Sequence, residues 1–220
     1  MKFNIESPVF QFLGTLFDFV VLNAIFLVTC IPVITIGPAV SALYTITLRE
    51  ARDEQNGIVR PYFAAFKSNF KHSFLLSLLY ALAGAVLLYN LAFWSQKKTA
   101  FGTVFLVIVA LCTLLYLFSL LYVFALSARF ENTIKQTIKN SFLIALTNPV
   151  QTLLLLLILV IGFALAYVSP MFRIFLIIVG FAFLAYCASF PLTKVFRRYE
   201  ETEDTEEEVE AEEIQEIQEI

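Results

Sequence analysis

The chain has 220 residues and a mass of 25.0 kDa, with 60% hydrophobic residues, 15% charged residues, mean hydropathy +0.81 and a formal net charge of −3. A soluble domain averages about 45–50% apolar and about 25% charged residues, so an ordinary water-soluble domain is excluded. Seven Gly and seven Pro likewise exclude a collagen-like or Gly/Pro-rich disordered chain.

The first apolar stretch opens with Ser7-Pro8, a capping residue followed by a proline suited to the first helical position. Residues 19–48 carry no charge. A spanning helix needs about 20 apolar residues to cross about 30 Å of hydrocarbon, so this stretch is long for one span and short for two. The favoured reading is one span from Pro8 to about residue 31, with the chain start outside and five spans in all. Residues 32–38 then leave the bilayer. Residues 39–53 lie on its surface as an amphipathic helix, with Val40, Leu43, Tyr44 and Leu48 on one face and Ser41, Thr45, Arg49 and Arg52 on the other. The alternative returns residues 32–48 through the membrane as a short second helix, giving six spans and an inside chain start. Lys2 is the only early base and the apolar run is too long for a cleaved signal peptide, so none is assigned. Leu27-Val28-Thr29-Cys30 lacks the basic leader and small residue of a lipoprotein cleavage box.

Four further apolar runs qualify as spans: residues 74–94, 101–128, 149–168 and 170–192. Asn148-Pro149-Val150-Gln151 and Ser169-Pro170 supply helix starts of the cap-then-proline type. The last two runs are nearly contiguous and predict a tight antiparallel hairpin. Bases orient the bundle. Arg49, Arg52, Arg60, Lys67 and Lys71 precede the second run, Arg129, Lys135 and Lys139 follow the third, and Lys194, Arg197 and Arg198 follow the last. Helix parity places all eleven on one side, against Lys97, Lys98 and Arg173 on the other. This predicts a cytoplasmic C-terminus in a cell membrane.

The small net charge is a cancellation. Residues 199–220 hold twelve acids and no base, while the other six acids and all 15 bases come earlier, so a body of +9 precedes a tail of −12. The predicted organisation is a transmembrane domain over 1–198 and an acidic cytoplasmic tail over 199–220, disordered and solvated. Ile214, Ile217 and Ile220 fall at helical spacing and make a short partner-binding helix the alternative. The bases flank apolar runs without forming a stripe, so no nucleic-acid partner is expected.

Residues 67–78 align with 135–146 at six identities in twelve, including Lys67/Lys135, Lys71/Lys139, Ser73/Ser141 and Phe74/Phe142. Upstream, Leu43-Tyr44 and Leu48 echo Leu121-Tyr122 and Leu126. The pattern predicts two parallel repeats: a bundle helix, a basic amphipathic cytoplasmic helix, then a second bundle helix. The fold class expected is thus an all-α polytopic bundle with amphipathic cytoplasmic helices and an internal repeat.

Several of these residues carry a family resemblance. Pro32-Val33-Ile34-Thr35-Ile36-Gly37-Pro38-Ala39 followed by Ala42-Leu43-Tyr44 resembles the signature of the YesL-like family of bacterial membrane proteins of unknown function. Residues 63–71, Arg129-Phe130-Glu131 with Lys135-Gln136, and Asn148-Pro149 with Gln151-Thr152 are similar to its other motifs, over roughly residues 7–199. The resemblance implies an accessory role beside carbohydrate uptake or sensing, with a membrane transporter or sensor kinase as partner, and it brings no catalytic or binding residues with it.

Candidate sites are few. Asp18 is the one acid inside a predicted span, and an intramembrane ionisable group is a functional candidate by default. In the five-span reading its half of the bilayer matches Arg173, which predicts an Asp18–Arg173 contact, with structural pairing favoured over a proton relay. Asn23 is expected to bond a neighbouring helix. Thr35, Gly37 and Pro38 break the helix; broken backbone at membrane depth is tolerated only against protein or a wet cavity, so this stretch reads as a turn or as a binding site. His72 is expected to anchor at the interface, and Trp94 and Tyr89 to form the opposite aromatic belt. Arg60, Lys67, Asn69, Lys71, Lys135 and Lys139 make the candidate cytoplasmic partner surface. Cys30, Cys112 and Cys187 lie in apolar runs and, with a single His, give no zinc or disulfide spacing. No nucleophile–base pair and no phosphate-cradling glycine loop occurs, so no enzyme activity, metal or cofactor is expected. A small transporter or substrate-binding subunit, with a cavity near Asp18, Asn23 and Thr35, is the alternative function.

Overall fold

A computed structural model describes residues 8–54, 57–97 and 99–218, with side chains described over 14–54, 57–97 and 99–200. The described residues form helices and no strand: α1 (Pro8–Thr29), α2 (Ile36–Glu50), α3 (Val59–Ser68), α4 (Phe70–Ser95), α5 (Ala100–Arg129), α6 (Ile134–Thr147), α7 (Pro149–Val168), α8 (Pro170–Phe175) and α9 (Phe181–Gln218). A 3-10 turn at Val33–Thr35 precedes α2, and a π-helical segment at Leu176–Gly180 joins α8 to α9. Four apolar helices are long enough to cross a bilayer: Phe70–Ser95, Ala100–Arg129, Pro149–Val168 and the continuous Pro170–Glu200. The apolar Gly14–Thr29 portion of α1 adds a shorter fifth. Exposed apolar side chains such as Leu88, Val104, Phe163 and Ile177 clothe these rods, and such faces are surfaces for lipid.

The chain enters and leaves at the same end of the bundle. Phe19 packs edge-on to Tyr186 and Phe26 lies beside Phe181, so α1 runs antiparallel to α9. Asp18 shares a recess with Thr47 and Glu50, while Thr35 Oγ1 donates to the Thr29 carbonyl at 2.6 Å. Helices α1 and α2 are therefore an antiparallel hairpin that turns at residues 30–35, and the start of α1 points toward the end of the bundle that holds Arg52, Arg129 and Glu200. The four long spans and the shorter α1 agree with the five apolar rods of the favoured sequence reading, while the segment after the turn folds back as in its alternative, with a return helix of only 15 residues. At 1.5 Å per residue α2 is about 22 Å long, too short to cross the hydrocarbon alone.

Nor does α2 lie on a surface. Ten of its residues are buried, including Ser41 and Thr47 at 0% exposure, and it touches α1, α3, α4, α5 and α9. The face expected to meet water opens with Ser41 and Thr45, small residues buried among the neighbouring helices, and the Ser41 hydroxyl has no hydrogen-bond partner among the described residues. Thr45 Oγ1 donates to the Ser41 carbonyl, and Ser189 Oγ donates to Thr47 Oγ1 at 2.9 Å. Gly37, Ser41 and Thr45 recur at four-residue spacing, which lets helices approach closely. A Cβ at Gly37 would fall 2.6 Å from the Ser73 carbonyl oxygen and 2.6 Å from Ser77 Cβ, so α2 and α4 are in backbone contact there.

The repeat order recurs as α2–α3–α4 and α5–α6–α7, with α3 and α6 as the short helices. Burial repeats with it, since Ser73 and Ser141 are both inaccessible and Leu76 and Ile144 are both core. Local structure does not. Lys67 to Leu78 crosses the bend at Asn69, whereas Lys135 to Leu146 lies within α6. Helix α6 starts with a capping box, Thr133 Oγ1 accepting from the Gln136 N–H. At the far end Trp94 stacks on Phe105 with centroids 4.8 Å apart and Tyr89 on Phe93, an aromatic cluster where the belt is expected. Helical backbone passes the expected domain boundary at Tyr199 without a break and continues to Gln218, where the sequence reading expects disorder.

Candidate functional site at the basic end

The end of α2 is locked by a Schellman motif. Asp53 takes the left-handed conformation (φ 57°), the Glu54 N–H donates to the Arg49 carbonyl at 3.0 Å, and the Asp53 N–H donates to the Glu50 carbonyl at 3.1 Å. Glycine is usual at that position, and Asp is among the few other residues that tolerate it. The motif places Arg49 and Arg52 at the bundle end, where α5 terminates in Arg129. Glu200, the first acid of the tail, bridges two of them: its Oε1 accepts from Arg129 Nε at 2.8 Å and from Arg52 Nη2 at 3.3 Å. Among the described residues no side chain pairs with Arg49.

These groups line two adjoining cavities. One, of about 380 Å³, lies between α2, α3 and the end of α5 and is walled by Thr45, Arg49, Asn69, Ser127, Arg129 and Glu131. The other, of about 90 Å³, shares Thr45, Arg49 and Arg129 and adds Arg52 and Glu54. Beside them His72 Nδ1 and Ser127 Oγ share a hydrogen bond of 3.1 Å, and Ser73 Oγ meets Ser127 Oγ at 2.9 Å. His72 is thus tied into the helix packing and is not a free interfacial anchor.

The intramembrane candidates have separate fates. Asp18 and Arg173 do not meet. Arg173 donates to the Ala166 carbonyl at 2.8 Å and the Tyr167 carbonyl at 3.1 Å, at the opposite end from Asp18. The antiparallel course of α1 sets residue 18 near Tyr186, thirteen residues and about 20 Å along the rod from Arg173. Asp18 is exposed at the basic end beside Glu50. Asn23 is fully buried and bonds the last span, as expected for it: Nδ2 donates to the carbonyls of Leu176 (3.2 Å) and Ile177 (2.7 Å), and Oδ1 accepts from the Ala182 N–H (3.0 Å). Thr35 closes the hairpin turn, Gly37 supplies the close approach to α4, and Pro38 sits buried in the first turn of α2. Arg60, Lys67, Lys71, Lys135 and Lys139 are exposed and Asn69 half-buried, so this surface is available on α3, α4 and α6.

Polar contacts between helices are otherwise structural. Tyr80 OH bonds Ser119 Oγ, which meets Ser141 Oγ at 2.6 Å; Tyr122 OH meets Thr152 Oγ1 at 3.0 Å. Thr29 Oγ1 meets Tyr62 OH at 2.7 Å, and burial pushes the Tyr62 phenol up to about 12. In sequence the arginine cluster was visible only as scattered topology signals, because Arg52, Arg129 and Glu200 are separated by whole helices.

Glu50, at the end of α2, has its carboxyl raised above the usual range, first by burial and then by the charges of Asp18 and Asp53. A raised folded-state value makes the charged form a penalty that appears as pH rises from about 4.5, the unperturbed value, through the folded one. Glu50→Gln should therefore stabilise the protein at neutral pH by less than about 1 kcal/mol, given its partial exposure, and raise the apparent melting temperature accordingly. The gain should vanish below pH about 4.5. Melting curves of both proteins across pH test this.

This fold and site define a polytopic α-helical membrane protein with a basic end. Residues 19–91 match the family model described as "Protein of unknown function, DUF624", and the YesL-like resemblance is borne out over that stretch. Residues 120–219, from within α5 to the tail, match the model of the LysE type translocator. No curated protein and no solved structure matches the chain.

Proposed function

We propose that the chain is a non-enzymatic accessory or regulatory component of a bacterial cytoplasmic membrane, with its basic end in the cytoplasm, serving carbohydrate uptake or sensing. The observation that carries this reading is the placement of the open cavity and the exposed cations together at the basic end, beside the hairpin that holds the family-like motif. The eleven bases gathered there support the orientation. The carbohydrate link rests on the YesL-like resemblance alone.

A second reading, a small transporter, is favoured by the match to the LysE type translocator. Two measurements separate them. The accessory reading expects the full-length protein to co-purify with a transporter or sensor-kinase subunit from its own membrane, and expects Lys67, Lys71, Lys135 and Lys139 changed together to Glu to lose that partner. Saturable substrate uptake into proteoliposomes of the protein alone would overturn it in favour of the transporter. Impermeant labelling of cysteines placed at either terminus should reach both only from the cytoplasmic side. Labelling of one terminus from each side would refute the hairpin course of α1 and α2.

A further inference from the structure

The Arg52–Glu200–Arg129 contact is an oxyanion site filled by the chain itself: one carboxylate oxygen takes donors from two guanidiniums at 3.3 and 2.8 Å, the geometry with which arginines hold a phosphate. The same cavities present a third guanidinium, Arg49, that is exposed and has no partner among the described residues. An unpaired arginine beside a paired cluster, opening on a cavity of about 380 Å³, is capacity left over for a further anion.

The walls fix its charge. Arg49, Arg52 and Arg129 line the two cavities with Glu54 and Glu131, and Glu200 pairs with Arg52 and Arg129, so the cluster is neutral while Glu200 is in place. With Glu200 withdrawn, three cations face two acids, a net +1. That matches a phosphodiester monoanion better than a phosphate dianion, which Glu54 and Glu131 would repel. The level of the site points to its source. It sits where the apolar run of α5 ends at Arg129, the depth at which phospholipid headgroups lie, and basic pockets between helices on the positive side are suited to such groups.

We infer that this groove binds the phosphodiester of an anionic phospholipid headgroup through Arg49 and Arg129, and that Glu200 is the resident competitor that a headgroup displaces from Arg52 and Arg129. Displacement frees the first residue of the acidic tail, which couples lipid composition to the position of that tail. The inference goes beyond the accessory reading and stands or falls independently of it.

The test uses the purified full chain in a neutral detergent, titrated with dioctanoyl phosphatidylglycerol, dioctanoyl phosphatidylcholine, soluble glycerophosphoglycerol and inorganic phosphate, with bound stoichiometry read by native mass spectrometry. One phosphatidylglycerol should bind in preference to phosphatidylcholine and to inorganic phosphate. Arg49→Gln, which breaks no ion pair among the described residues, should weaken it about tenfold, one charge-assisted contact. Glu200→Gln should strengthen it by a similar factor. Soluble glycerophosphoglycerol binding as tightly as the lipid would keep the phosphodiester site but make its ligand water-borne. Equal binding of phosphatidylcholine, tighter binding of inorganic phosphate, or indifference to both variants would overturn the proposal. Unchanged melting of the lipid-free Arg49→Gln protein confirms that its loss is one of binding.

Discussion

Gly37→Ala will be among the most damaging single-methyl changes in this protein. The added carbon would sit 2.6 Å from the Ser73 carbonyl oxygen and 2.6 Å from Ser77 Cβ. The first is backbone and cannot rotate away, so α2 and α4 must separate, and α2 is the helix against which α1, α3, α5 and α9 also pack. Overpacking of a close-packed site costs about 1–3 kcal/mol, and the central place of α2 puts this change at the upper end. Apparent melting in detergent will fall by several degrees. Ser77→Gly in the same protein will restore only part of the loss, because the Ser73 carbonyl remains. Gly14 is the control: a Cβ there meets nothing within 4 Å, and Gly14→Ala should be neutral or slightly stabilising, by about 0.5–1 kcal/mol. Equal effects at the two glycines would refute the close approach of α2 to α4.

Asn23→Leu is the second large effect, and its cause is the π segment of the last span. A helix with i→i+5 bonds carries one extra residue in a turn and leaves backbone groups without their ordinary partners. Asn23 supplies them, donating to Leu176 and Ile177 and accepting from Ala182. Leucine keeps the volume and removes three hydrogen bonds to the backbone, two part-buried and the one from the Ala182 N–H buried. At about 1–3 kcal/mol for each group left unsatisfied, less some relaxation, the loss should be about 2–4 kcal/mol. The diagnostic is a deletion. Removing Ile178 allows residues around the π segment to regain an α-helical register. This deletion should harm the parent protein, where it strands the Asn23 amide, and should recover stability in the Asn23→Leu background. A deletion that harms both equally would show that Asn23 and the π segment are not coupled.

Much of the architecture is written in local patterns. Apolar runs of about 20 residues, cap-then-proline starts at Asn148-Pro149 and Ser169-Pro170, and the flanking bases define α4, α5, α7 and the start of the α8–α9 rod within a few residues. Those signals need no tertiary information, because the bilayer forces each span to satisfy its own backbone bonds. The family-like motif at Pro32–Ala39 was legible as a backbone break for the same local reason, the chemistry of Gly37 and Pro38.

What local pattern could not reach is α2. Its sequence reads as amphipathic because Ser41 and Thr45 count as polar, yet the Thr45 hydroxyl bonds its own helix, and small size, which Ser41 shares, is what a crowded helix crossing selects. The side chains that distinguish a surface helix from a central one lie on its neighbours: Ser73 and Ser77, Ser189, and the end of α5. The same holds for Asp18, whose assignment to Arg173 followed from a span count and failed once α1 proved antiparallel to the last span. The arginine–glutamate cluster joins positions 52, 129 and 200, and only the packing of the ends of α2 and α5 against the middle of α9 brings them within hydrogen-bond reach. By itself, then, the sequence determined that the chain is a membrane bundle with one basic end, since charge and hydropathy act residue by residue. The tertiary structure decided which helix is central, where the chain start lies and which charges meet, since each of these is a distance between elements far apart in the chain.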